Sequence, residues 1–172
     1  MHDRYSVCIK KAEHVFCSGH FITLTDTVCE PIHGHNWTVS VKIDGQPNAH
    51  GMVIDFILLR DHLSLLIKQL DHKMLLPTKN SFLQVKLSQD SSSHEEVHVH
   101  FSDRRWIFPA DECVLLPVAN TTAEWIASWI GNELLQHLNE HDASVSGVIR
   151  VAVDECLGQS GVWERDCTVM SR

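Results

Sequence analysis

Two histidines separated by one residue, in His33-Gly34-His35, are the side chains of this sequence best spaced for metal chemistry. The segment from 35 to 43 alternates as a strand does, and residues i and i+2 of a strand point to one face, where they can bind one ion. Both histidines share the alternation of Trp37 and Val39, so they point toward the apolar side of the sheet, where uncoordinated imidazoles would be costly to desolvate. The pattern predicts a metal site. The competing interpretation is two surface loop histidines beside a turn glycine.

A third nitrogen ligand is available at His20, at the end of the preceding predicted strand. Three nitrogen ligands with one open position are typical of catalytic zinc. His14 has the same strand parity as His20 and competes with it, but we interpret His14 as a partly buried strand histidine. A rival set lies in a later polar segment, where we expect solvent-exposed side chains: His94, His98 and His100.

Groups that could move protons flank these histidines. Cys29 lies four residues before His33, where a metal dication would lower the pKa of the thiol and supply thiolate. The alternative is a buried, inert thiol. Asp71-His72 is a possible carboxylate–imidazole pair for proton transfer just after a predicted helix. The alternative for this pair is polar residues that simply end the helix.

Glu155 continues a strand face that is otherwise apolar, at Ile149, Val151 and Val153. A carboxylate in that position needs a partner. A ligand with adjacent N–H donors, such as the edge of a pterin or guanine, would provide one, and an internal ion pair or exposure at the strand end are the alternatives. Thr121 also fits a helix capping box with the glutamate three residues later.

The elements that must position these residues follow from periodicity and caps. Strands are predicted at 4–22 and 35–43, then a helix capped by Asp55 that ends near Leu70, a second helix at 122–138, and strands at 147–155 and 161–170. The region 79–116 has a polar tract and strand pieces at 95–101 and 104–108, which predict an inserted hairpin. Because no proposed ligand lies in it, we expect the insertion to be dispensable for the metal site. The fold class is α+β with an antiparallel sheet, in one domain spanning 1–172.

Composition narrows the function classes. A net charge of −8 argues against a surface that neutralises nucleic-acid phosphates, and the partner expected is a small molecule. No apolar stretch approaches the ~20 residues that span a bilayer, so we expect a soluble, cytoplasmic protein without a membrane partner. The six cysteines include no C-x-x-C pair, and most are predicted to be reduced.

Several segments, in order, resemble the family of 6-pyruvoyl-tetrahydropterin synthase and 6-carboxy-tetrahydropterin synthase (QueD). The most specific is the segment from Cys29 to Trp37, which is similar to the family signature C-x-x-x-H-G-H-N-aromatic. The remaining motifs run from Phe16 to His20, from Gly51 to Phe56, from Leu70 to His72, from Thr122 to Glu124 and from Val151 to Glu155. The sequence departs from the family pattern at Trp125 and Cys156 and in the length of the insertion.

The resemblance implies a T-fold: a four-stranded antiparallel sheet with two helices between the strand pairs, assembled as a homohexamer of two trimers. It implies one Zn²⁺ per subunit, bound by His20, His33 and His35. It further implies catalytic roles for Cys29, Asp71 and His72, and pterin binding by Glu155, Thr121 and Thr122.

The reaction that the resemblance implies is zinc-dependent conversion of 7,8-dihydroneopterin triphosphate. The predicted product is 6-carboxy-5,6,7,8-tetrahydropterin, because Cys29 lies three residues clear of the H-G-H motif. One alternative is a 6-pyruvoyl product. The other is a 6-hydroxymethyl product formed with the help of Glu30, because Glu30 fits a second signature of the family in the same loop. A non-catalytic pterin- or purine-binding T-fold protein is the alternative from another class. A purely structural zinc protein is a further alternative, but four protein ligands would then be expected.

Overall fold

The computed structural model describes residues 3–168, which form a sheet covered by two helices and a smaller, separate sheet. The main sheet has seven strands, and the smaller sheet has three. In chain order the elements are β1 (Tyr5–Ile9), β2 (Val15–His20), β3 (His33–Gly45), α1 (Phe56–Leu70), β4 (Lys73–Pro77), β5 (Gln84–Gln89), β6 (Glu95–Phe101), β7 (Arg104–Pro109), a short 3₁₀ helix (Ala110–Glu112), β8 (Cys113–Leu116), α2 (Ala123–Glu140), β9 (Val148–Cys156) and β10 (Gln159–Asp166).

The long central strand β3 organises the main sheet. The order is β10-β9-β3-β2-β4-β8, and β1 also pairs with β3. β1 pairs antiparallel with the end of β3, where Ile9 is opposite Val41, and β2 pairs with its beginning, where Val15 is opposite Thr38. The strand predicted at 4–22 is therefore two strands. The polar residues between β1 and β2 form a turn, and both strands pair with the same edge of β3.

Two further strands also correct the prediction of a four-stranded antiparallel sheet. β4 pairs parallel with β2, and β8 pairs parallel with β4, so the sheet is mixed. Both are short runs on either side of the insertion. Leu75 and Leu76 are fully buried in β4, and Leu116 is fully buried in β8. Burial of these few leucines holds the two ends of the insertion in the main sheet.

The helices follow the predicted bounds closely. Asp55 caps α1 as expected: its carboxylate accepts hydrogen bonds from the backbone N–H groups of Ile57 (2.7 Å) and Leu58 (3.3 Å). α2 packs against β10 at Gly131, because a Cβ there would lie 2.2 Å from the ring of Trp163. Both helices cover one face of the sheet and form its principal core. No helix within residues 3–168 is long and apolar enough to cross a membrane.

The insertion is more than a hairpin. β5, β6 and β7 form an antiparallel three-stranded sheet, and the predicted pieces 95–101 and 104–108 correspond to β6 and β7, whereas β5 was not predicted. This sheet forms a second core with residues of the main body. That core contains Phe21, Cys29, Met74, Leu76, Leu83, Val97, Val99 and Phe101. Strand β10 ends at Asp166, short of the predicted 170, and positions 169 and 170 lie outside the described residues.

Candidate metal centre

Three strands bring three histidines and one glutamate together. In the β2–β3 ladder His20 is opposite His33, and Ser18 is opposite His35, so all three imidazoles lie on one face. Glu155 is added by β9, one position beyond the last pair of the β3–β9 ladder, Thr38 and Asp154. Each of the four side chains offers a ligand atom, and these atoms all lie within 4.8 Å of one another. The structure confirms that the predicted histidines converge.

Backbone carbonyls fix the orientation of two of the rings. Nδ1–H of His20 donates to the carbonyl of Thr121 at 2.8 Å, and Nδ1–H of His33 donates to the carbonyl of Pro31 at 3.0 Å. Because a carbonyl only accepts, Nδ1 carries the proton and Nε2 keeps its lone pair. Metal-binding histidines commonly have this second hydrogen bond, which holds the ring toward the ion.

Buried nitrogens without partners indicate that a cation belongs here. Nε2 of His20 and Nε2 of His35 are buried and make no hydrogen bond. An oxygen of Glu155 lies 2.8 Å from Nε2 of His35 and 3.7 Å from Nε2 of His20. The 2.8 Å contact lacks the angular geometry of a hydrogen bond, which is why Nε2 of His35 still has no hydrogen-bond partner. Nitrogen and carboxylate ligands at this spacing suit Zn²⁺.

The protonation state of His20 supports the same conclusion. Burial lowers the pKa of His20 to about 4, the hydrogen bond to Thr121 opposes this shift, and the neighbouring His33 and His35 lower the pKa further. At neutral pH His20 is therefore a neutral ligand with a free lone pair. Trp37 is fully buried and lies edge-on to the rings of His20 and His35, with centroids 4.9 and 5.1 Å away. Its packing restricts both rings.

The place of Glu155 differs in one respect from the expectation. The apolar strand face predicted that the Glu155 carboxylate would need a partner. In the structure that partner is His35. Sequence reasoning did not identify Glu155 as a possible fourth metal ligand. The sequence shows the alternation of side chains along β3 and along β9. It does not show the register in which the two strands pair, and only that register places Glu155 beside His35.

A cleft opens next to Glu155 at the beginning of α2. It has a volume of about 520 Å³ and is lined by Ile22, Thr122, Glu124, Glu155, Gly158 and Ser160, among others. This volume falls within the range of small-molecule sites, about 300–1,000 Å³. Gly161 permits the close approach of β10 to α2 here, because a Cβ at that position would lie 2.4 Å from the backbone nitrogen of Glu124.

The two threonines have different surroundings. Thr121 is fully buried; its hydroxyl donates to the carbonyl of Phe21 at 3.1 Å, and its own carbonyl orients His20. Thr122 is the N-cap residue of α2 and lines the cleft, but its side chain makes no capping hydrogen bond. The capping box considered for Thr121 and Glu124 is therefore wrong, because the helix begins one residue later. Thr122 keeps its hydroxyl available to the cleft.

Cys29 is buried in the second core, at the end of the loop that leads to β3. Its Sγ lies 3.4 Å from the carbonyl oxygen of Glu30. Burial raises the pKa of the Cys29 thiol, the guanidinium of Arg104 opposes this, and the Glu30 carboxylate raises the pKa further. Arg104, from the insertion, also donates to the carbonyl of Cys29 at 3.1 Å. The insertion thus contacts the loop of Cys29 directly.

Asp71 and His72 form the expected pair, which is bonded to β2 at Cys17. Oδ2 of Asp71 lies 2.9 Å from Nδ1 of His72, and Oδ1 accepts from the backbone N–H of Cys17 at 2.8 Å. That backbone bond, with the hydrogen bond from His72, lowers the pKa of Asp71, although desolvation opposes it. The His72 side chain is 81% exposed. Within residues 3–168, no hydrogen bond or ion pair joins this pair to the histidine cluster.

The other candidate histidines lie outside the cluster. His94 pairs with Asp90 at 3.1 Å, and His98 with Glu96 at 3.0 Å. Neither belongs to a group of converging ligand atoms in the described part of the chain. His14 lies just before β2 and is fully buried, more so than expected, with no partner for either ring nitrogen.

The fold and site together define a class: an α+β protein with two helices on a mixed sheet, whose paired strands present three histidines for a metal ion. Comparison with known proteins then identifies the family. The family model described as 6-pyruvoyl tetrahydropterin synthase matches residues 8–161. The chain belongs to this family.

Relatives agree with this assignment. The chain is 37% identical over 129 residues to a Pyrococcus abyssi protein provisionally named 6-carboxy-5,6,7,8-tetrahydropterin synthase, with 73% of each chain covered. It is 27% identical over 151 residues to a Methanocaldococcus jannaschii protein of the same name, covering 87% of this chain and 89% of the relative.

Solved structures share the fold. The crystal structure of 6-pyruvoyl tetrahydropterin synthase from Plasmodium vivax matches with a TM-score of 0.83 and 25% identity, over 96% of this chain and 99% of that one. The Plasmodium falciparum enzyme matches with a TM-score of 0.82, the same identity and the same coverage. Two further structures of the P. vivax enzyme carry Ala or Cys in place of a glutamate described as catalytic.

Proposed function

We propose that this chain is a zinc-dependent lyase that converts 7,8-dihydroneopterin triphosphate to 6-carboxy-5,6,7,8-tetrahydropterin. The observation that carries the proposal is the cluster of His20, His33 and His35 beside a cleft that also contains Glu155. The archaeal relatives named as 6-carboxy-tetrahydropterin synthases support the choice of product.

In this proposal the three histidines hold Zn²⁺, which would act as a Lewis acid toward the hydroxyls of the substrate side chain. Cys29 accepts a proton from the side chain as thiolate. The protein groups around it favour the neutral thiol, since burial raises its pKa. A nearby cation would act in the opposite direction. Glu155 accepts the N–H groups of the pterin ring, and Thr122 lines the same cleft.

The opposing proton relay would come from Asp71 and His72 of a neighbouring copy. In the described part of the chain this pair is bound to Cys17 in β2 and makes no hydrogen bond or ion pair with the cluster, while the imidazole of His72 is largely exposed. An exposed imidazole held by a charged carboxylate is well placed to enter the site of another subunit. We therefore propose a homo-oligomer, expected to be a hexamer, with sites at subunit boundaries.

A second candidate activity is formation of a 6-hydroxymethyl pterin with Glu30 as the base. Glu30 follows Cys29 directly, and its carboxylate accepts from the backbone N–H of Ile22 at 3.3 Å. This candidate is supported by the two structures of the P. vivax relative in which a glutamate described as catalytic is replaced. A 6-pyruvoyl product is the third outcome, and a non-catalytic pterin-binding protein is the alternative without chemistry.

Incubation of the zinc-loaded protein with 7,8-dihydroneopterin triphosphate, with products identified by mass spectrometry, separates these candidates. The wild type should form the 6-carboxy product, and Cys29→Ala should abolish it while zinc and pterin binding persist. If Cys29→Ala forms a hydroxymethyl pterin that the double variant Cys29→Ala/Glu30→Ala does not, the second activity is established. Cys8→Ala, an exposed cysteine on β1, is the matched control. An unchanged rate in Cys29→Ala, or no product from the wild type, would refute the proposal.

A further inference from the structure

A second group of three histidines lies between the two helices, on elements that take no part in the first cluster. His62 is on α1, and His137 and His141 are four residues apart at the end of α2. The ring centroid of His62 lies 4.5 Å from that of His141 and 5.6 Å from that of His137. In the first cluster the ring centroids are 4.5 to 5.2 Å apart. The two ring distances from His62 are therefore close to those in the first cluster.

His62 is buried and has no polar partner within residues 3–168. Its residue exposure is 8%, and both ring nitrogens are buried with no hydrogen bond. Buried polar groups are nearly always paired, so two unpaired nitrogens on one ring need a physical explanation. Burial lowers the pKa of His62, and the neighbouring His141 and His137 lower it further. The ring is therefore neutral at neutral pH and retains a buried lone pair.

His141 has the hydrogen bond typical of a metal ligand. Its Nδ1–H donates to the carbonyl of His137 at 2.8 Å, which leaves the lone pair on Nε2. His137 lies in the last turn of α2 and His141 is the C-cap residue that follows the helix, so the two are spaced i, i+4 at the helix end. A helix pair and a fixed third imidazole on an adjacent helix provide three nitrogen ligands.

The surroundings also suit a cation. The carboxylates of Asp61 and Glu140 are close enough to oppose the lowering of the His62 pKa by burial, so two negative charges lie near the group. In the described part of the chain only the first cluster has all its ligand atoms within 4.8 Å. The second group requires rotation of the His137 side chain toward His62, while the His141 ring keeps its bond to the His137 carbonyl. His137 is half-buried and can turn, whereas His62 is held by the core.

We propose that His62, His137 and His141 form a second metal site. Three imidazole nitrogens select late first-row dications, Zn²⁺, Ni²⁺ or Cu²⁺, over Mg²⁺ and Ca²⁺. The bound ion ties the end of α2 to the middle of α1 and stabilises the helical layer that supports the sheet. This role does not depend on the pterin chemistry of the first site.

Zinc stoichiometry tests the proposal. After equilibrium dialysis against buffered Zn²⁺, elemental analysis should find two zinc ions per subunit in the wild type and in the control His50→Ala, which removes an exposed loop histidine. The double variant His137→Ala/His141→Ala should bind one. His62→Leu, which fills the buried position with an apolar side chain, should also bind one. One zinc in the wild type, or two in the double variant, would overturn the proposal.

Thermal unfolding provides an independent readout in a protein whose first site is disabled. In His33→Ala, Zn²⁺ at about 100 times its Kd should raise the unfolding midpoint by about 5–10 °C. The same zinc addition to His33→Ala/His141→Ala should raise it much less. Equal shifts in the two proteins would mean that the stabilising zinc binds elsewhere, and the proposal would then be wrong.

Discussion

Replacement of Glu155 by Gln changes one atom in the carboxylate but alters both the metal group and the cleft. In the wild type a carboxylate oxygen lies 2.8 Å from His35 and 3.7 Å from His20. The amide removes a negative charge from this group and presents an N–H donor to the donor edge of a pterin. The loss of a charge-assisted contact and the resulting donor–donor clash should weaken pterin binding by about 2–3 kcal/mol, or about 30- to 150-fold in Kd.

The same substitution should have a smaller effect on zinc. Three imidazoles remain, two of them held by backbone carbonyls, so loss of one carboxylate near the ion should weaken zinc affinity by about 10- to 100-fold and leave one zinc per first site at saturating metal. Folding should change little, because the Glu155 side chain is 27% exposed and makes no hydrogen bond within the described chain. Amide and carboxylate have nearly the same volume.

Isothermal titration of a pterin into the zinc-loaded protein measures the effect directly. Glu124→Gln is the matched control, because Glu124 lines the same cleft but does not belong to the metal group. The control should bind pterin within a few-fold of the wild type. Equal pterin affinity in Glu155→Gln and the wild type would refute the anchoring role. A complete loss of zinc would instead show that Glu155 is an essential ligand.

Three further predictions address the metal ligands, the core and a buried imidazole. His33→Ala should lose the zinc of the first site in elemental analysis, whereas His98→Ala should keep it; full occupancy of that site after the first change would contradict the ligand assignment. Gly131→Ala should lower the free energy of unfolding in urea by about 1–3 kcal/mol, because the new Cβ overlaps the ring of Trp163; unchanged stability would show that the ring moves freely. His14→Leu should raise stability at pH 7.5, because the His14 imidazole is buried without partners. Burial lowers the pKa of His14 from its ordinary 6.5, so below pH 6.5 the unfolded state binds more protons than the folded state and the wild type loses stability. Urea unfolding at pH 7.5 and 5.5 should therefore show a smaller loss of unfolding free energy in His14→Leu than in the wild type.

The convergence of the three histidines could be predicted from the sequence because alternation in a strand is local. His33, His35 and Trp37 share a face in any strand that contains them, and His20 requires only an antiparallel partner. Helix α1 was equally local, since Asp55 and the apolar spacing define its beginning and end. These features depend on residues that are near one another in the chain.

The features that the sequence did not predict depend on long-range contacts. β4 and β8 are too short to show a period, and they become strands because each pairs in parallel with a distant segment. Glu155 meets His35 only through the register of β3 and β9. Whether Asp71 and His72 act at the site depends on the arrangement of subunits, which no local pattern encodes.

Because the apolar residues form two separate cores, parts of the site should respond differently to denaturation. The clustered histidines sit on strands of the large helix-covered core, whereas Cys29 belongs to the small core that the insertion completes. Segments with separate cores can open at different free energies. Partial opening of the insertion would release Cys29 and its bond to Arg104 while the histidine cluster stays assembled. Mild denaturation should therefore yield a protein that still binds metal after its buried thiol has become accessible to bulky thiol reagents, and hydrogen exchange should begin in β5–β7 before it reaches β3.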